Sequence, residues 1–300
     1  MQFFFPDTPD LPLPPGHRFP AGKYRMLRDR IIADGILGSA PLTASTPATR
    51  TELQQAHSAA YVEAALAGTL TADVQRGIGL PWSETLIARS QATVGGSIQA
   101  ARSALETGFS GQLAGGTHHA HRDFGSGFCV FNDLAVASLT LLAEQRVSRI
   151  TILDLDVHQG DGNAAILGPM PAVFVVSLHG ERNFPFTKPP SDFDIGLPDG
   201  TGDDAYLAAL EPALEQIAAF RPDLLLYLSG ADALKSDRLG RLDLSLTGLA
   251  ARDRRVFDFC RQRALPVSVA IGGGYADPIS DSVEGYLNTF RAGMDVLGTR

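Results

Sequence analysis

A chain of 300 residues, 44% of them apolar, is long enough for one large α/β domain and apolar enough for a substantial core. Its formal net charge of −8 argues against nucleic acid as a main partner, and no apolar run approaches the length of a membrane span. The two cysteines, Cys129 and Cys260, suit a reducing cytoplasm and exclude a disulfide framework or a thiolate zinc site. The N-terminal segment lacks the features of a signal peptide, and its prolines predict an irregular arm over residues 6–20.

Helices and strands alternate along the chain from residue 97 onward. In chain order the predicted elements are a helix over 97–108, a strand over 111–116, a helix over 132–145, strands over 149–156 and 172–180, a helix over 203–220, a strand over 222–230, a helix over 246–264, a strand over 265–274 and a helix over 281–297. The strands are continuous apolar runs, which is typical of parallel strands covered by helices on both faces. The pattern predicts a three-layer α/β/α fold with a central, mostly parallel sheet, in a single domain over residues 1–300.

Polar side chains follow five of these strands, at the point where each strand ends. They are Thr117, His118 and His119; Asp154, Asp156, His158 and Asp161; Ser177 and His179; Asp232; and, after three glycines, Tyr275. Ligands bind outside the carboxyl ends of the strands in open parallel sheets. We therefore expect these groups to converge on one functional site.

The residue types at these strand ends indicate a metal site. Asp156 and His158 are two apart on an extended segment, so their side chains point to the same side, and Asp232 offers a third ligand. Three such ligands leave an open position for water, as in catalytic zinc sites. Helix capping is the competing interpretation, and for Asp232 alone it is equally good. For residues 154–161 it is weaker, because a cap needs only one of the four polar groups.

Several segments in the same order resemble the zinc-dependent histone deacetylase family, whose relatives include acetylpolyamine amidohydrolases and acetoin-utilisation proteins. The segments are GGTHHA, GSGFCVFND, ILDLDVHQGDG, VSLHG, GADAL with KSDRLG, and GGGY, over residues 114–275. The resemblance implies the arginase/deacetylase fold. HRFPAGKYRML, GLPWSE, the 184–207 segment and SDRLGRLDLSLTGLAARD resemble the class IV branch most.

The resemblance implies a role for each matching position. The zinc ligands would be Asp156, His158 and Asp232. His119 would be the general base and acid, held by Asp161, and His118 would give electrostatic support, held by Asp154. Tyr275 would stabilise the oxyanion. The substrate-binding residues would be Gly127, Phe128 and Gly273, and a structural monovalent cation, K⁺, would be held by Asp154, Asp156, His158, Ser177 and Leu178.

Other conspicuous residues have simpler interpretations. His17, His57 and His179 are predicted to be structural, His121 to lie on a loop or helix surface, Cys129 to be a buried small hydrophobe, and Asp237 to stabilise a loop. The ligand types do not separate zinc from iron(II). The sequence is compatible with an oligomer and does not specify one.

Three functions are compatible with these residues. The first is a hydrolase that removes acyl groups from lysine side chains of proteins or peptides; the second is an amidohydrolase for a small acetylated amine such as an acetylpolyamine. The third is a catalytically silent acyl-lysine binding module, which is disfavoured because the implied catalytic set is complete. Class IV resemblance implies a preference for long fatty-acyl groups, since each buried methylene contributes about 0.8 kcal/mol if the pocket can receive it. The glycines over 115–127 either leave room for such a chain or serve tight turns, and Phe124, Phe128, Phe131 and Phe186 either line or plug a tunnel.

Overall fold

An eight-stranded sheet crosses the molecule in the computed structural model, which describes residues 1–298. The strands are β1 (Phe3–Phe5), β2 (Leu42–Ala44), β3 (Phe109–Gln112), β4 (Ile150–Asp154), β5 (Val173–Gly180), β6 (Phe193–Leu197), β7 (Leu224–Ser229) and β8 (Val267–Ile271). Their spatial order is β2-β1-β3-β8-β7-β4-β5-β6, and every pair of neighbours is parallel. The predicted, mostly parallel sheet is therefore confirmed.

Ten helices within the described residues surround this sheet. They are α1 (Lys23–Ala33), α2 (Arg50–Ala56), α3 (Ala59–Ala67), α4 (Ala72–Ile78), α5 (Glu84–Thr107), α6 (Asp133–Ala143), α7 (Asp161–Leu167), α8 (Asp203–Phe220), α9 (Leu246–Arg263) and α10 (Ile279–Leu297). Over residues 1–298, none of them combines the length and apolarity that crossing a bilayer would require.

Two hydrophobic clusters lie on opposite faces of the sheet. In β4, Ile150 and Ile152 pack into the cluster formed with α2, α3, α5 and α6, whereas Leu153 belongs to the cluster formed with α1, α8, α9 and α10. Such a two-sided strand buries both faces, which explains the unbroken apolar runs in the sequence. The arrangement gives the predicted three layers, helix–sheet–helix.

Several elements differ from the sequence-based prediction. The helix predicted over 97–108 begins thirteen residues earlier, at Glu84, and the strand predicted over 111–116 is Phe109–Gln112. Residues 113–116 instead form a turn in which Gly115 and Gly116 have φ angles of +99° and +66°. Strands β1, β2 and β6 and helices α1–α4 and α7 were not predicted; the arm over 6–20 contains no helix or strand, as expected.

The five strands β3, β8, β7, β4 and β5 lie side by side in the middle of the sheet. Their register places Asp154 opposite Ser177 and Leu228, and Ser229 opposite Ile271, so their carboxyl ends stop at nearly the same level. The polar segments that follow them are consequently brought to one edge of the sheet.

Candidate active site

Three ligand groups, two buried carboxylates and one partly buried histidine, meet at this edge. Nδ1 of His158 lies 2.9 Å from an Asp156 oxygen and 3.2 Å from an Asp232 oxygen, and the three ligand atoms are all within 4.8 Å of one another. Asp156 and Asp232 are 1% and 0% exposed. Backbone N–H groups of Gly273 and Val157 donate to the carboxylates and fix their orientation.

This trio fits a divalent cation. Ligand atoms bound tetrahedrally to Zn²⁺ at about 2.0–2.2 Å are separated by roughly 3.3 Å, close to the observed nitrogen–oxygen separations. Burial and the neighbouring Asp156 raise the pKa of Asp232 to about 7, because two carboxylates taken out of water repel each other. Burial lowers the pKa of His158, but its hydrogen bonds to Asp156 and Asp232 outweigh burial and raise the pKa to about 10. Both pKa values are raised because the trio attracts positive charge, which a bound divalent cation would supply in place of the protons.

A buried ion pair supports the backbone beneath the trio. Arg252, on α9, pairs with Asp253 and donates to the carbonyls of Gly230 (2.7 Å) and Leu155 (3.3 Å). Gly230 lies two residues before Asp232, and Leu155 lies one residue before Asp156. Sequence reasoning missed this pair because Arg252 and Asp253 lie in a helix whose charged residues are mostly on the solvent side.

Two histidines beside the trio are each held by a carboxylate. Nδ1 of His118 lies 2.8 Å from Asp154, and Nδ1 of His119 lies 2.6 Å from Asp161. Because the carboxylate accepts the Nδ1 proton of His119, Nε2 of that ring keeps its lone pair. His119 can therefore accept a proton at Nε2.

The two rings have opposite protonation preferences. Burial disfavours charge on His118, but Asp154 and Asp156 outweigh it and raise the pKa of His118 to about 9. Burial and the adjacent His118 lower the pKa of His119 to about 4. The surroundings thus favour the charged form of His118 and the neutral form of His119, as an electrostatic support and a general base respectively require.

His121 lies in a loop, as predicted, but its ring is not a free surface group. Nε2 of His121 lies 3.0 Å from the second oxygen of Asp161, and the ring stacks on Phe124 with centroids 4.4 Å apart. Asp161 thus joins His119 to His121, and these contacts lower its pKa although burial alone would raise it. The available signal was the HHAH sequence, because His121, two residues after His119, can reach the same Asp161 carboxylate.

The glycine-rich segment after β8 carries Tyr275. Asp237 accepts the backbone N–H of Tyr275 at 2.6 Å and those of Leu239 and Gly240, so its predicted structural role extends to the tyrosine. Burial raises the pKa of Tyr275 well above its ordinary value, which keeps the hydroxyl protonated and able to donate. The backbone N–H of Gly273 bonds Asp156, so Gly273 contacts a ligand as well as lining the cleft.

Lys23 is a functional candidate that sequence reasoning missed. It is 2% exposed, and its ammonium donates to the Gly274 carbonyl at 3.1 Å and to the Tyr286 hydroxyl at 3.0 Å. The same nitrogen lies 5.0 Å from the centre of the Tyr275 ring. The available signal was that Lys23 lies in HRFPAGKYRML, a segment that resembles the class IV branch.

Asp133 holds the turn before the two histidines. Its carboxylate accepts from the backbone N–H groups of Gly116 and Thr117, from the Thr117 hydroxyl and from Ser97. A side chain at Gly115 would collide with Asp133 and Ala270. The glycines there serve a tight turn, so they are not evidence of a tunnel.

Aromatic side chains line the approach to the site. Phe128 has a φ of +67° and its ring lies 6.1 Å from that of Tyr275, while Phe184 packs edge-on against His119 at 4.9 Å. A side chain at Gly127 would collide with the His119 ring. Phe128, Phe131 and Phe186 line the cleft, whereas Phe124 does not. Sequence reasoning missed Phe184, although it begins the 184–207 segment that resembles the class IV branch.

The cleft has a volume of about 710 Å³. Besides the site residues, Leu11 on the arm and Leu86 and Thr93 on α5 line this cleft. This volume is within the usual range for small-molecule sites. The cleft can accommodate a group larger than acetyl.

The remaining predicted residues lie close to the site or support it. Ser177 is the register partner of Asp154, and its hydroxyl is 2.9 Å from Nδ1 of His179. His57 is fully buried between the carbonyl of His121 and the backbone N–H of Asn132, and His17 contacts Gly79. Cys129 is buried and free, and burial raises the pKa of its thiol, so it is not a nucleophile.

A parallel sheet that gathers this constellation at the carboxyl ends of its strands has the arginase/deacetylase α/β fold. A family model described as histone deacetylase domain matches residues 17–290. The chain belongs to the histone deacetylase family of hydrolases.

Individual relatives agree with this assignment. Histone deacetylase 2 of Arabidopsis thaliana is 30% identical over 292 residues, covering 93% of this chain and 75% of the relative. Human histone deacetylase 1 is 28% identical, and the aligned segment spans 87% of this chain but only 58% of that protein. An uncharacterized protein of Picosynechococcus sp. is 45% identical, with 95% of each chain covered.

The fold also matches a solved structure. The crystal structure of the HDA15 HD domain superposes with a TM-score of 0.79, covering 99% of this chain and 91% of the other at 22% identity. At that identity the match supports the fold alone.

Proposed function

We propose that the chain is a zinc-dependent lysine deacylase acting on proteins or peptides. The observation that carries the proposal is the meeting of three kinds of group in one cleft: the ligand trio, a histidine with a free Nε2, and a protonated tyrosine. Amide hydrolysis needs a nucleophile, a polarised carbonyl and a proton for the leaving amine, and these groups match those needs.

Each residue has one task in the proposed reaction. Asp156, His158 and Asp232 would hold zinc, which when bound polarises the acyl carbonyl and lowers the pKa of a water molecule. His119 accepts the proton of the attacking water at Nε2 and returns it to the leaving lysine amine. Tyr275 donates its hydroxyl proton in a hydrogen bond to the developing oxyanion.

The surrounding residues orient these groups. Asp161 and His121 keep the His119 ring in the tautomer that a base needs, and charged His118 stabilises negative charge developing beside it. Phe128 and Phe184 form apolar walls for the lysine stem. Asp154, Ser177 and Leu178, together with Asp156 and His158, would hold the K⁺ ion that the family resemblance implies.

We further propose class IV character, a cytoplasmic location and a preference for long acyl chains. The last rests on the 710 Å³ cleft, whose lining includes Leu11 and Leu86 in addition to the site residues. Its apolar portion would gain about 0.8 kcal/mol for each methylene that it buries. Free, buried Cys129 and Cys260 favour the reducing compartment.

A substrate panel tests the function and the acyl preference together. The enzyme would be given one peptide carrying acetyl-, octanoyl- or myristoyl-lysine, alongside acetylated polyamines, and kcat/KM measured for each. We expect peptide hydrolysis with the longer chains preferred. A preference for acetyl of about tenfold or more would exclude long-chain specificity. Exclusive turnover of polyamines would favour the small-amine alternative, and no turnover by metal-loaded protein would favour the silent binding module.

A further inference from the structure

Five exposed arginines surround the mouth of the cleft. They come from four separate parts of the chain, namely the N-terminal arm, α4, the segment after β5 and the segment after β7. We call these residues the arginine rim: Arg18, Arg76, Arg182, Arg238 and Arg241. Within residues 1–298, the acidic residue that lines the same cleft is Asp156, a buried ligand.

The charge of the rim is only partly neutralised by neighbours. Asp73 pairs with Arg76, and a single carboxylate, Asp199, lies 3.9 Å from Arg182 and 3.3 Å from Arg241. Arg238 uses its Nε–H on the Tyr275 carbonyl, and Arg18 has no ion-pair partner among residues 1–298. Five cations against two carboxylates leave about three positive charges, whereas the whole chain carries −8.

This local charge has no evident role in folding. Exposed ion pairs contribute little to stability, and the side chains of Arg76 and Arg182 remain 71% and 74% exposed. Charges of one sign at the mouth of an apolar cleft act instead on approaching ligands, because the low-dielectric walls focus their field. The exposed ring of Phe186 at the same mouth adds an apolar contact.

We infer that the arginine rim binds carboxylates flanking the acyl-lysine, so that the substrates of this enzyme are acidic protein segments. The inference rests on the proposed lysine deacylase function and specifies its substrate class. Arg182, Arg238 and Arg241 follow the strands that carry the site, so they lie beside the entering lysine. A lysine- or arginine-rich segment would instead meet like charge.

Three peptides that differ only in their flanks test the inference. Each carries the same acyl-lysine, flanked on both sides by aspartate, serine or arginine, and kcat/KM is measured at ionic strengths of about 0.01 M and 1 M. At low salt we expect the acidic peptide to exceed the basic one at least tenfold, since one exposed pair contributes up to about fivefold. At high salt the ratio should approach one, because the Debye length falls from about 30 to about 3 Å.

Variants connect the preference to the rim. The double variant R182Q/R241Q should lower the acidic-to-basic ratio, and it leaves Asp199 without partners. Asp199→Asn releases both arginines and should raise the ratio. The matched control is Arg254→Gln on α9, whose side chain is 53% exposed compared with 54% for Arg241 and which pairs with Asp258. The control should leave the ratio unchanged.

Two readouts separate this inference from the proposed function. Fluorescence anisotropy of labelled peptides reports binding even if no peptide is hydrolysed, so absent hydrolysis alone counts against the deacylase function. Equal binding and equal kcat/KM for the three peptides would overturn the inference that the arginine rim binds acidic flanks. The same conclusion would follow if Arg254→Gln changed the ratio as much as the double variant did.

Discussion

Asp232 and His119 are both buried in the site, but their contacts differ, and so do the roles that we propose for them. Asp232 faces Nδ1 of His158 as part of the ligand trio, whereas His119 contacts Asp161 and offers Nε2 to the cleft. Asp232→Ala should therefore lose the bound divalent metal, and His119→Ala should keep it while losing turnover. Elemental analysis of each purified protein, compared with its kcat, provides the measurement.

The parent enzyme supplies the reference for this comparison. It should contain one tightly held divalent metal per chain, and a chelator should abolish its activity until zinc is restored. Two stoichiometric transition metals per chain would contradict the single ligand trio.

Tyr275 should affect the rate far more than substrate binding. Its hydroxyl is the one part that Tyr275→Phe removes, and the backbone contacts from Asp237 and Arg238 remain. Losing one oxyanion donor typically lowers kcat by about 10²–10³. Steady-state kinetics on one acyl-lysine peptide should give that loss in kcat with little change in KM. An unchanged kcat would remove Tyr275 from the mechanism.

At the scale of elements, Lys23 ties helix α1 to the glycine segment and to α10. In Lys23→Met the apolar stem is kept, but the Gly274 carbonyl and the Tyr286 hydroxyl lose a charged donor. We expect the free energy of unfolding to fall by about 1–3 kcal/mol and kcat by about 10- to 100-fold, because Tyr275 is held less firmly. Denaturant titration and kinetics measure the two effects.

Lys23→Arg is the matched variant, since it retains a buried cation and donors. It should recover part of the lost kcat. A methionine variant as active as the parent would show that α1 does not help to position Tyr275.

The central elements were predictable from sequence because burial on both sides leaves an unmistakable apolar run. Edge elements were not, since β6 alternates exposed and half-buried residues and contains Asp194 and Gly196. The first half of α5 was missed because Gly95 and Gly96 interrupt it. The structure explains these glycines, as a side chain at either position would collide with the backbone near Thr46 or with Gln112.

The candidate-site residues that come soon after strands of the sheet could be predicted from the sequence. Asp156 and Asp232 come two and three residues after strand ends, and His118 follows the short turn after β3, so topology brings them together. Lys23 comes from a helix at the other end of the chain, and nothing local relates it to Gly274. Such contacts depend on how layers pack, which residue spacing does not specify.

At the scale of the whole molecule, buried neutral histidines should make stability depend on pH. Burial lowers the pKa of His57 to about 4, and Nε2 of this ring must stay unprotonated to accept the Asn132 N–H. The unfolded chain takes up this proton near pH 6.5, but the folded chain does so only near pH 4. Stability from His57 is therefore complete above pH 6.5 and is lost as the pH falls towards 4, by about 3 kcal/mol.

Urea titrations between pH 7.5 and 4 would measure this dependence, and His57→Gln would isolate the contribution of one ring. The variant should be less stable at pH 7 and should show a shallower decline below pH 6.5, by up to one proton. Parallel pH profiles of parent and variant would contradict the assignment.

The position of β8 has a consequence for how the protein is made. Among residues 1–298 this strand comes last in sequence, yet it lies between β3 and β7 and joins the two parts of the sheet. During synthesis, β1–β3 and β4–β7 leave the ribosome with facing edges that remain unpaired until Val267–Ile271 has been translated. Such open edges can pair with other chains, and pairing so distant in sequence forms slowly. The nascent chain is therefore most prone to aggregation just before β8 emerges. Tyr275 emerges after β8 and so can join the site only once this strand is available to close the sheet.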